Sequence, residues 1–116
     1  MTSLKKLIWI GRSRLDLSEM PEEVQDEIGY GLYQAQRGLF PDAAKPLKGL
    51  SGVIEIVCDY DKNTFRAVYA VKLGDEIYVL HAFQKKSKTG IKTAKTDLEL
   101  INKRLKAAIK IARGET

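Results

Sequence analysis

Hydrophobic spacing divides the chain into a few clear pieces. "KKLIWI", Lys5–Ile10, is a short apolar run that reads as a first strand. After the connection "GRSRLDLSEM" the period changes. Val24, Ile28, Leu32 and Ala35 stand 4, 4 and 3 apart, which makes one buried stripe of a helix. Pro21 suits its first turn, Glu22 and Glu23 complement the helix dipole, and Gly38 is a stop. Gly29 and Gly31 each weaken this helix by roughly 1 kcal/mol relative to alanine, which close packing of another element would explain. "GLFPDAAKPLKGLSG" then reads as a loop between Gly38 and Gly52.

Three strands follow. "VIEIVCDY" is joined by "DKN" to "TFRAVYAVKL", and Gly74-Asp75 leads into "EIYVLHAFQ". Glycine first in a two-residue loop suits a primed turn, so the last pair is expected to be a tight antiparallel hairpin. The chain closes on an amphipathic helix, "TAKTDLELINKRLKAAIKIAR". Leu98, Ile101, Leu105, Ala108, Ile109 and Ala112 share its apolar face, and Thr96 with Glu99, or else Thr93, offers a cap. Strand, helix, three-stranded meander, helix is the order of a small α+β domain spanning residues 1–116. The sheet is expected to be antiparallel, with helices packed on it.

Composition narrows the class. At 116 residues and 44% apolar the chain suits one hydrophobic core and not disorder. No apolar run approaches the roughly 20 residues of a membrane span, and the N-terminus lacks a signal-peptide pattern, so a cytoplasmic protein without membrane association is expected. Cys58 is the only cysteine and His81 the only histidine. That argues against a disulfide, a metal site of ordinary composition or any cofactor. A Ser-His-Asp triad could use only His81, and "KTG" at Lys88–Gly90 lacks the companion motifs of a penicillin-binding site.

Charge changes the picture more. Residues 1–84 carry ten Lys or Arg and twelve Asp or Glu, a net of −2. Residues 85–113 carry ten Lys or Arg against Asp97 and Glu99, a net of +8. A basic excess confined to one end points to a polyanion, although a merely solvated helix face would also carry it. In "TFRAVYAVKL", alternation sends Arg66, Val68, Ala70 and Lys72 one way and Phe65, Ala67, Tyr69 and Val71 the other. An arginine in so apolar a strand needs a partner. Glu55 or Asp59 on the preceding strand would satisfy it, and so would a phosphate, which matches guanidinium geometry. Lys85, Lys86 and Lys88 end the neighbouring strand and could converge on the same anion.

"KPLKGL" at Lys45–Leu50, "FRAVYAVK" at Phe65–Lys72, "YVLHAFQKKSKTG" at Tyr78–Gly90 and the closing "RLKAAIKIAR" resemble the phage-derived, HigB-like branch of the RelE/ParE toxin superfamily. The likeness spans about residues 4–112. It implies the toxin of a type II toxin–antitoxin pair, growth inhibition, and neutralisation by a cognate antitoxin, often a helix-turn-helix protein. Many members cleave mRNA on the ribosome; the ParE branch inhibits gyrase instead. Metal-free cleavage by the RNA's own 2′-OH would make Arg66, Lys85 and Lys86 the charge-stabilising groups, with His81 or Tyr69 as proton shuttle. Lys48, Lys88, Lys92, Lys95 and Lys103 would hold RNA backbone. A gyrase inhibitor on the same fold and a non-catalytic basic binding module are the alternatives.

Overall fold

Five strands form one sheet in the computed structural model, which describes residues 3–85 and 93–114. They are β1 (Lys6–Trp9), β2 (Ala44–Pro46), β3 (Val53–Tyr60), β4 (Asn63–Leu73) and β5 (Glu76–Lys85). Helices α1 (Ser13–Ser18) and α2 (Glu22–Gln36) follow β1, and α3 (Lys95–Ala112) follows β5. Across the sheet the order is β1-β5-β4-β3-β2.

The meander β3-β4-β5 forms as its alternation predicts, and its turns explain why. Asp61 and Lys62 both take left-handed backbone, φ 49° and 64°, while Tyr60 pairs with Asn63. The link is thus a two-residue primed turn rather than the three-residue "DKN", and Asn63 belongs to the ladder. At the other end Gly74, φ 71°, starts the two-residue turn between the paired Leu73 and Glu76. Such turns match the right-handed twist of the strands they join.

Three features depart from the sequence reading. β1 lies parallel to β5, Lys6 opposite Glu76, so the sheet is antiparallel except at this edge. The long connection that a parallel neighbour requires is here everything from α1 to β4, which lies between the two strands in sequence. α1 itself falls in the stretch read as a connection. It is six residues long and anchored from outside, Ser13 Oγ donating to the Val79 carbonyl at 3.1 Å. β2, three residues of the expected loop, is held by pairing Lys45 with Glu55.

The helices cover opposite faces. Val24, Ile28, Leu32 and Ala35 of α2 pack with Ile56, Phe65, Ala67 and Tyr69 on one side. Ile101 and Ala108 of α3 pack with Val53, Val68, Ala70, Tyr78 and Leu80 on the other. Gly31 permits the first contact, because a Cβ there would lie 2.9 Å from Ile56 Cδ1; Gly29 meets nothing within 4 Å. Ala112 is exposed, so the apolar stripe of α3 ends sooner than its spacing suggests. Neither threonine caps α3. Ala94 is the N-cap, without a side-chain bond, and Thr93 is directed into the sheet.

Candidate active site

On the α3 face the strand register sets charged side chains side by side. Arg66 pairs with Val57, and Val57 is two residues from Glu55, so the two meet diagonally across β3 and β4. The guanidinium donates from Nη1 to Glu55 Oε1 at 2.7 Å. Arg66 is 4% and Glu55 2% exposed, so this is a buried ion pair. Asp59, the other candidate partner, instead accepts from the Thr64 hydroxyl at 2.8 Å. Lys45, half-exposed on β2, reaches the same Glu55 oxygen at 3.6 Å. Thr93 closes the group from the start of α3. Its hydroxyl accepts from Arg66 Nη1 at 3.3 Å and lies 3.4 Å from Glu55 Oε2, toward which it donates.

Lys85, opposite Thr64 at the end of β5, belongs electrostatically to this cluster. Desolvation, with the like charges of Arg66 and Lys45, lowers its pKa below the ordinary lysine value, and Glu55 opposes the shift. A lysine made easier to deprotonate beside clustered cations can both attract a phosphate and release a proton.

His81 lies on the same face, fixed by a break in the ladder. The register between β4 and β5 shifts, Val68 facing His81 while Tyr69 faces Val79, which leaves Leu80 as an extra residue. Arg104 of α3 takes the Leu80 carbonyl at 2.9 Å and lies 3.5 Å from His81 Nδ1. On the far side of the ring, Nε2 is 2.8 Å from Asp97 Oδ1. Arg104 can only donate and an ionised Asp97 can only accept, so this network assigns the ring proton to Nε2. The imidazole also stacks on Phe83, centroids 4.5 Å apart. With both nitrogens engaged, His81 would have to release Asp97 or Arg104 before it could shuttle a proton.

The remaining residues singled out from the sequence disperse. Tyr69 is buried on the α2 side, opposite Arg66, and burial pushes its phenol up to about 12. Lys48 is exposed between β2 and β3. Lys95, exposed at the start of α3, approaches Glu99 at 4.0 Å, and Lys103 is exposed farther along. Lys86, Lys88 and Lys92 lie outside the described residues. Sequence reasoning missed Lys45, Thr93, Asp97 and Arg104. Only Lys45 carried a signal, as a cation within the quoted "KPLKGL"; the others enter through the docking of α3. Among the described residues no three His, Cys, Asp or Glu side chains converge as metal ligands, and no helix is long and apolar enough to cross a membrane.

The fold has a known counterpart. A mutant of the E. coli toxin RelE, in its free state, superposes with a TM-score of 0.62, covering 90% of this chain and 97% of that one. Identity is 13%, so what the two share is the fold. No curated protein matches the sequence. Residues 15–106, which run from α1 into α3, match the family described as Phage derived protein Gp49-like (DUF891). By that match over most of its length, the chain belongs to the phage-derived Gp49-like family.

Proposed function

We propose that this protein is the toxin of a type II toxin–antitoxin pair, of the HigB-like kind, and a metal-independent endoribonuclease that cuts mRNA at the ribosome. The observation that carries the reading is that Arg66 and Lys45 meet one buried carboxylate, with Lys85 on the adjoining strand opposite Thr64, beside a basic helix. The RelE fold and membership of a phage-derived family support it. A cognate antitoxin, of helix-turn-helix type, would be its partner in the cytoplasm.

The chemistry draws on the RNA, these side chains and solvent. The 2′-oxygen forms a bond to the adjacent phosphorus as its proton passes to a solvent water, and the P–O5′ bond breaks as O5′ takes a proton from Lys85. The products are a 2′,3′-cyclic phosphate and a 5′-hydroxyl. Cations beside the phosphorane-like transition state stabilise its added charge, and one well-placed donor is worth about 3–4 kcal/mol. Lys85 is suited to hold the phosphate and to protonate O5′, since its ammonium gives up its proton more readily than an ordinary lysine. Arg66 acts from beneath. Its pairing with Glu55 fixes the direction of the guanidinium and limits how closely it meets the phosphate.

Lys85→Ala is the informative substitution, because Lys85 is only partly buried and its loss leaves the Arg66–Glu55 pair in place. Wild type and variant are induced in bacteria and transcript 5′ ends are mapped. The expected outcome is new ends inside translated regions for the wild type, carrying 5′-hydroxyls, and their loss in the variant. Growth arrest with intact messages and a DNA-damage response would replace this reading with gyrase inhibition. Salt-dependent RNA binding without cleavage would leave a binding module.

A further inference from the structure

A cavity of about 530 Å³ opens where β1 stops accompanying β5. The parallel ladder ends at Trp9 and Val79, whereas β5 runs on to Lys85, and beyond that point α1 packs beside it. The space is bounded by Asp16 and Glu19 from the α1 side and by Phe83 and Gln84 of the strand, with Met20 and Phe65 as apolar surfaces. Phe83 is the ladder partner of Arg66 and Gln84 precedes Lys85, so the cavity adjoins the cationic cluster.

The polar groups of this cavity are one-sided. Asn63 donates from Nδ2 to the Asp61 carbonyl at 3.1 Å, and its Oδ1 accepts from Gln84 Nε2 at 3.0 Å. That chain orients the Gln84 amide and leaves its Oε1 without a partner among the described residues. Asp16 and Glu19 share the exposed Arg12 at 3.5 and 3.8 Å, contacts long enough to leave both carboxylates with lone pairs to offer. His81, which also lines the cavity, has its ring nitrogens engaged with Asp97 and Arg104. The cavity therefore accepts hydrogen bonds more readily than it donates them.

From this we infer that the cavity is a guanine subsite for RNA held at the Lys85 cluster, an inference that rests on the RNA substrate proposed above. The ring would lie against Met20 and Phe65, as unstacked bases do on flat side chains. Guanine alone among the four bases presents two adjacent donors, N1–H and the N2 amine, on its pairing edge. They match the two oxygens of Asp16, the less exposed of the two carboxylates, in a charge-assisted pair. The second amine proton is left for Gln84 Oε1. Adenine and cytosine offer one amine each, and uracil a single N–H between two carbonyls that the carboxylates would repel. Arg12 offsets the negative charge of the rim, which meets a neutral base and not a phosphate.

The test uses the full chain and labelled single-stranded hexanucleotides with 2′-O-methyl groups, which bind without being cut. One is all uridine; three others carry a single guanosine, inosine or adenosine at the same place. Fluorescence anisotropy is expected to show the guanosine strand bound about tenfold more tightly than the other three, the discrimination of one bidentate contact. Asp16→Asn should erase that preference with oligouridine still bound, which a variant that had lost its fold would not do. Gln84→Ala should reduce the preference, whereas Lys103→Ala on α3 should weaken all four strands alike. Guanosine preference in a protein that cuts nothing would sustain the subsite and remove the ribonuclease reading. Equal affinity for the four strands, with Lys85-dependent cleavage intact, would overturn the subsite alone, and no binding of any strand would overturn both. Competition by an arginine-containing tripeptide that Asp16→Asn abolishes, without guanosine preference, would also overturn it, since the occupant would then be a guanidinium of a protein partner.

Discussion

The Arg66–Glu55 pair shows how burial changes what a substitution reports. Both side chains are almost wholly enclosed, and their attraction works against a large desolvation cost. Removing one partner leaves the other charge buried without its closest counter-charge, which costs about 3–5 kcal/mol, less whatever Lys45 restores to Glu55 from 3.6 Å. Arg66→Ala is therefore expected to lower the urea midpoint strongly, while the double variant Arg66→Met, Glu55→Met recovers most of the loss. If the double variant is as unstable as the single one, the pair is not the source of the effect. Activity lost in Arg66→Ala would thus report folding as much as chemistry. The sequence made Arg66 conspicuous, as a cation with apolar neighbours on both sides in its strand, and offered Glu55 and Asp59 as partners. Choosing between them required the register, which no local pattern encodes. Asp97 and Arg104 were less visible still. On a helical wheel they are ordinary polar positions, and their meaning arises only when α3 meets the bulge at Leu80 and His81.

At the scale of elements, long periodic segments were legible and short ones were not. α2 and the β3-β4-β5 meander carry enough repeats of their period to declare themselves, whereas α1 and β2 exist because tertiary partners satisfy their backbones. The start of α3 makes the same point. Thr93 and Thr96 are good capping residues by local rules, yet Thr93 turns its hydroxyl to Arg66 and Glu55 and leaves Ala94 at the N-cap. Alanine is among the poorer residues there. Ala94→Ser supplies an oxygen to the open N–H groups of the first turn and should stabilise the fold by about 0.5–2 kcal/mol. A thermal melt checks this, and the gain should persist when Lys85 is replaced. Thr93→Ala is expected to do the reverse, because it removes a polar contact from a buried pair while freeing no cap.

For the molecule as a whole, the sheet separates charge. α2 begins with Glu22, Glu23, Asp26 and Glu27, all exposed although Glu27 also accepts from the Cys58 thiol of β3, and α3 carries exposed Lys95, Lys103, Lys106 and Lys110. The sequence revealed the basic excess after residue 84; that a sheet would stand between it and the acids depended on the fold. A polyanion approaching this molecule should therefore meet α3 and be repelled from α2. Phosphate contacts release counterions, so the logarithm of RNA affinity should fall linearly with the logarithm of salt, by about 0.7 per contact for a single strand. Lys103→Ala and Lys106→Ala are each expected to weaken binding similarly for all RNA sequences and to make that slope shallower by about 0.7. Glu22→Gln with Glu23→Gln should leave the slope unchanged, because those carboxylates face away from the bound strand. Titration of a labelled single-stranded RNA at several salt concentrations decides the matter. Slopes insensitive to the α3 lysines would confine RNA to the cluster around Lys85 and make the basic helix a solvated surface.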